Sequence, residues 1–164
     1  MNPLGELLAA DDIRLDLDAS TKTQVLDEIA ALLAARQGLP KSLVFESLKA
    51  REQLGSTAVG HGVAIPHARM SQCAGVAVAF VRTKVPVPFE APDGRPVSVF
   101  VGLIVPNQAN ERHLQLLATA AGMLDDRNFR TTLKTEGSPQ TVRALLESWP
   151  DAPPAAAMDG LPHS

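Results

Sequence analysis

Apolar residues recur along the chain with two different periods. From Thr21 to Arg36, Val25, Ile29, Leu32 and Leu33 fall at i, i+4, i+7 and i+8, the spacing of one helix face. Thr21 with Gln24 three residues on forms a capping-box pattern, and Gly38 followed by Pro40 is a stop signal. A second helix is predicted from Lys41 to Leu54, with Val44 and Leu48 inward. Arg51 continues that stripe, and a guanidinium beside an apolar face needs a partner. After Gly55 the helical period stops. Gly75–Val81 and Val97–Val105 read as strands, the second almost continuously apolar, as expected for a strand covered on both faces. Between them Val85–Pro96 holds four prolines and an Asp93-Gly94 turn signal, which predicts a loop. A third helix is predicted from Asn110, a good N-cap, to Met123 or Leu124, with Leu114, Leu117, Ala121 and Leu124 inward. A short helix follows over Asp126–Lys134. Ser138-Pro139 then opens a last one carrying Val142, Leu145, Leu146 and Trp149. This pattern predicts a single α/β domain over residues 1–149, a β-sheet flanked by helices, with strand order unreadable. The Pro- and Ala-rich stretch 150–164 is expected to be a poorly ordered tail.

Composition narrows the class. A chain of 164 residues, 45% hydrophobic and 20% charged, is long enough to bury one substantial core without disulfides. Its net charge of -3 argues against a dedicated nucleic-acid binder, which carries a basic excess. No apolar run approaches the ~20 residues that span a bilayer. The start, with neither basic leader nor long apolar segment, gives no secretory signal. Cys73 is the one cysteine, which excludes an internal disulfide framework and suits a reducing compartment. A soluble, cytoplasmic protein without stable membrane insertion is expected.

The chemistry concentrates between Arg51 and Arg69. Gly55, Gly60 and Gly62 permit tight turns and close approach of backbone N–H groups to a ligand. Pro66 restrains the backbone that presents His67, and rigid presentation is what a nucleophilic histidine requires. Gly60-His61-Gly62 does not make a nucleotide loop, since G-x-x-x-x-G-K-[ST] is absent. From spacing alone, a structural histidine in a turn explains His67 equally well. A metal site is not predicted: His61 and His67 are spaced for no helical ligand pair, and Cys73 lacks a C-x-x-C partner. Cys73 precedes a buried strand and reads as packing.

The segment Gly55-Ser-Thr…Gly60-x-Gly-Val-Ala-Ile-Pro-His67 resembles the phosphorylation-site signature of type-2 IIA domains of the bacterial phosphoenolpyruvate-dependent phosphotransferase system, the fructose, mannitol and nitrogen-regulatory group. The resemblance continues through Phe89–Val97, Leu103–Pro106 and Glu111–Leu117, in the family's order, over most of the chain. It implies that family's fold, a mixed sheet flanked by helices. It implies that His67 accepts a phosphoryl group, as a tele-phosphohistidine, from an HPr/NPr-like phosphohistidine carrier, although the sequence itself does not say which ring nitrogen reacts. His113 is implied as the second active-site histidine, and Arg51, Ser56 and Thr57 as phosphoryl-binding positions. Physical reasons stand beside these roles: His113 falls in the first turn of a predicted helix, where the dipole favours an anion, and Arg51 offers forked donors. No cofactor is implied. Ser56 and Thr57 serve equally well as hydrogen-bonding residues of the turn that ends the helix.

Three departures stand out. Ala68 replaces the glycine that commonly follows the Pro-His pair, His61 stands where the family often has Asn, and the stretch after Pro150 has no clear counterpart. A chain with no fused IIB, IIC or carrier domain, and the likeness of Phe89–Val97, favour the nitrogen-regulatory branch. There a phosphoryl group would act as a charge switch on partner binding, making the chain a nominal phosphotransferase that works mainly as a regulator. The alternative is a sugar-transport IIA component that hands phosphate to a IIB domain. A homodimer is left open.

Overall fold

The computed structural model describes residues 3–107 and 111–149; the anticipated tail, and Asn110 as a cap, lie outside the described residues. A short helix α1 (Pro3–Leu7) and a 3-10 turn precede strand β1 (Ile13–Leu17), and helices α2 (Lys22–Gln37) and α3 (Lys41–Gln53) follow. Three short strands come next, β2 (Ala58–Gly60), β3 (Val63–Ala64) and β4 (His67–Met70). Then come the long β5 (Ala77–Val87) and β6 (Val97–Pro106), and three helices, α4 (Glu111–Asp125), α5 (Arg127–Thr135) and α6 (Pro139–Ser148). The strands form one mixed sheet in the order β1-β5-β6-β3-β2, with β4 beside β3 along the same edge of β6. β5 and β6 pair antiparallel, whereas β3 and β4 run parallel to β6.

Both faces of the sheet are covered. Val25, Ile29 and Leu33 of α2, with Val44 and Leu48 of α3, pack on one face with Ala79, Val81, Phe100 and Ile104. On the other, Leu116, Ala120 and Met123 of α4, Leu133 of α5 and Val142 of α6 meet Val78, Phe80, Val101 and Leu103. Alternate residues of β5 and β6 thus feed two cores, which is why these strands are continuously apolar. The contact of α2 with β6 is close: a Cβ at Gly102 would stand 2.5 Å from Ile29 Cγ2, so glycine is what the packing admits there.

The local signals mark the helix ends well. Thr21 and Gln24 form the capping box of α2, and Gly38 closes it in the left-handed conformation at φ 67°. Asp126 and Ser138 cap α5 and α6 through their side chains. Three expectations need correction. β5 continues to Val87 through Pro86, so the loop begins later than the proline count suggests. Leu114 and Ala121 are exposed, because the inward face of α4 is the stripe Leu116, Ala120, Met123 and Leu124, set by the neighbouring helices and sheet. Trp149 lies just past α6 and packs edge-on against Phe129, with ring centroids 4.9 Å apart.

Candidate functional site

His67 opens β4, paired with Leu103 of β6, and the Leu103 N–H donates to the Pro66 carbonyl at 2.9 Å. The Pro66-His67 step is therefore held by the sheet rather than by a free turn. The half-buried ring has Nδ1 2.8 Å from the Ile65 carbonyl. A carbonyl oxygen only accepts, so Nδ1 is the donor, and in the uncharged form of the ring Nε2 carries the lone pair. The ring stands, oriented by this bond, at the wall of a groove of about 630 Å³, lined by Ser47, Ala50, Arg51, Leu54, His67, Ala68 and Arg69.

The groove brings Arg51 to His67 as expected, and adds Arg69, which sequence reading missed. Arg69 stands two residues after His67 on β4, so both side chains leave the same face of the strand. Recognising the short strand would have revealed it. Arg51 Nη1 donates to the Gly55 carbonyl at 2.9 Å, the partner its place on the stripe demanded, and the rest of its guanidinium faces the groove. Leu54, 86% exposed, gives the groove an apolar rim.

Ser56 and Thr57 do not line this groove. The Ser56 hydroxyl donates to the Phe89 carbonyl at 2.6 Å and accepts from the Ala58 N–H. The Thr57 hydroxyl and N–H both donate to Glu52. Glu52 is the second residue that sequence reading missed. The residue is only 7% exposed, and its carboxylate pairs with Lys22 Nζ at 2.9 Å. From there a chain of bonds reaches the histidine: the Thr57 carbonyl accepts from the Ile65 N–H at 3.0 Å, and the Ile65 carbonyl accepts from His67. Glu52 thus braces Ile65, the residue whose carbonyl accepts from the His67 ring. Only the acid at i+1 from Arg51 hinted at it, and no local pattern marks that acid as buried.

His113 lies half-buried in the first turn of α4. β6 passes His67 at Leu103 and ends at Pro106, so His113 belongs to the same end of the sheet, though it is not among the side chains that line the groove. His61 lies at the opposite end of β6, where the Gly62 carbonyl meets the Ser98 N–H. Cys73 is buried, its thiol pushed up by burial and donating to the Gly75 carbonyl. Among the described residues no three His, Cys, Asp or Glu side chains gather as a metal would require, and no helix is long and apolar enough to cross a membrane.

The chain is similar to known proteins over most of its length. A nitrogen regulatory protein of Pseudomonas aeruginosa is 40% identical over 147 residues, covering 88% of this chain and 92% of that protein. One of Bradyrhizobium diazoefficiens is 37% identical, over 94% of this chain and 99% of its own length. The crystal structure of nitrogen regulatory protein IIA-Ntr from Neisseria meningitidis superposes with a TM-score of 0.83 at 43% identity, covering 87% of this chain and 97% of that one. The family model for the phosphoenolpyruvate-dependent sugar phosphotransferase system, EIIA 2, matches residues 6–149, and the chain belongs to this family.

Proposed function

We propose that the chain is a nitrogen-regulatory IIA protein: His67 Nε2 accepts a phosphoryl group from an HPr/NPr-like phosphohistidine carrier, and the resulting charge decides which partners bind. The observation that carries this reading is the hydrogen bond between His67 Nδ1 and the Ile65 carbonyl, 2.8 Å long. In the transfer, Nε2 attacks the phosphorus in line, the N–P bond to the carrier's imidazole breaks, and that nitrogen recovers its electron pair. The positive charge that develops on the His67 ring is stabilised at Nδ1–H by the carbonyl dipole. Arg51 and Arg69 supply donors for the equatorial phosphoryl oxygens, and His113, in the first turn of α4, adds a donor at a helix N-terminus. The exposed Leu54 rim gives a carrier an apolar surface to dock on. Relatives named nitrogen regulatory proteins over most of their length support the regulatory reading.

Intact-mass spectrometry tests it, with the chain incubated with phosphoenolpyruvate, the first enzyme of the system and its carrier, and samples kept alkaline. One phosphoryl group is expected on the native chain and none on His67→Ala. An unmodified, folded native chain would refute the relay. Rapid loss of the label to an added IIB domain would favour the sugar-transport role.

A further inference from the structure

At the end of β6 away from His67 the fold builds a second concavity, of about 410 Å³, that phosphoryl transfer does not use. The turn beside it meets Ser98, whereas His67 pairs with Leu103, five positions further along the strand, or roughly 17 Å at the strand rise. Its walls are His61 from the β2–β3 turn, Arg95 from the β5–β6 loop, and Arg127, Arg130, Thr131 and Lys134 from one face of α5. Four full positive charges converge there from two segments far apart in sequence, in a chain whose net charge is -3.

Among the described residues, Arg95, Arg127, Arg130 and Lys134 form no salt bridge. The nearby carboxylate, Asp93, accepts from the backbone N–H groups of His61 and Arg95 and attracts the Arg95 charge more weakly, without forming a salt bridge. Arg130 caps the Leu124 carbonyl with one nitrogen, and Lys134 Nζ donates to the His61 carbonyl at 2.9 Å, leaving donors on both. The ammonium lies 3.1 Å from where a Cβ at Gly62 would stand, so the glycine leaves room for it. Burial, and then Arg130 and Arg95, hold Lys134 below the ordinary lysine value. Arg127, Arg130 and Lys134 repel one another along their helix face.

We propose that this pocket binds a small molecule carrying two or more adjoining phosphoryl groups, held through its phosphate oxygens. Guanidinium forks match phosphate oxygens in pairs, and four cations exceed the charge of a single phosphate dianion. No aliphatic wall lines the pocket for a sugar or base, so recognition rests on the anionic part. A protein partner is disfavoured by the same lack of an apolar centre, which protein interfaces require.

The test is calorimetric titration of the full chain with inorganic pyrophosphate, orthophosphate and ADP at physiological salt. Pyrophosphate should bind one to one, and binding should weaken about tenfold or more in Arg95→Gln/Arg127→Gln. Neither guanidinium has a hydrogen-bond partner among the described residues, so that variant should melt as the native chain does. His67→Ala should bind pyrophosphate undiminished. ADP matching pyrophosphate would point to a nucleotide source and weaker ADP to a non-nucleotide one, and either upholds the shared chemistry. No saturable pyrophosphate binding, equal binding by the double variant, loss with His67→Ala, or displacement by a hexaglutamate peptide at lower concentration than orthophosphate would each overturn the proposal.

Discussion

His61 and His67 stand in one glycine-rich segment, yet the fold ties down different parts of them. At His67 it is the ring that is held, by a carbonyl two residues back, so that one nitrogen is committed and the other is presented. At His61 it is the backbone: the N–H donates to Asp93, the carbonyl accepts from Lys134, and the residue sits at φ 59° between two glycines. The charges differ as well. The His67 groove has Arg51 bonded to its own loop and a buried Glu52–Lys22 pair behind it, whereas among the described residues the cations around His61 form no salt bridge. A histidine becomes a candidate nucleophile through what holds its ring, and the motif spacing cannot distinguish the two cases.

The contrast breaks most visibly at Glu52. Glu52→Ala leaves Thr57 without its carboxylate and Lys22 with only the exposed Glu90, and should cost about 3 kcal/mol of stability. Thermal melts measure that loss, and phosphorylation rates below the melt measure the effect on His67. A roughly tenfold slower transfer is expected from a loosened Ile65 carbonyl; loss of stability with an unchanged rate would remove Glu52 from the positioning of His67. Arg51→Ala comes next, with transfer slowed about tenfold and the fold intact, since its bond is to one solvent-facing carbonyl. Unchanged kinetics would take Arg51 out of the site.

The smallest effect is expected at the other end. The N–H groups of His61 and Arg95 hold the Asp93 carboxyl below its ordinary 3.8, so its contribution is present above that value and is lost as pH falls through the depressed one. The His61 amide resonance should therefore titrate with a midpoint below 3.8, and Asp93→Asn should abolish that step. Transfer to His67 should stay within about twofold in that variant, as distant sites act independently. A larger change would mean that the two ends of β6 are coupled.

Much of the frame was legible because its signals are local. Thr21, Gln24 and Gly38 bracket α2, and Asp126 and Ser138 start α5 and α6, through bonds that span three or four residues. The apolar run Val97–Val105 announced a strand covered on both faces. β1 and the three short strands of the glycine-rich segment were not legible, because two to five residues carry too little period to read. The phase of α4 was misread at Leu114 for a related reason: several apolar stripes fit its sequence, and packing chose among them.

His67 and Arg51 were marked as candidates through the resemblance of one glycine-rich segment to a family signature, while residue type and spacing alone left His67 open to a structural role. The proton on Nδ1, the brace from Lys22 through Glu52 to Ile65, the presence of Arg69 in the groove, and the gathering of Arg95 with α5 were decided only in three dimensions. Each depends on sheet register and helix packing between residues far apart in the chain. Hydrogen bonds and charge contacts act over a few ångströms of space, whatever the separation along the sequence.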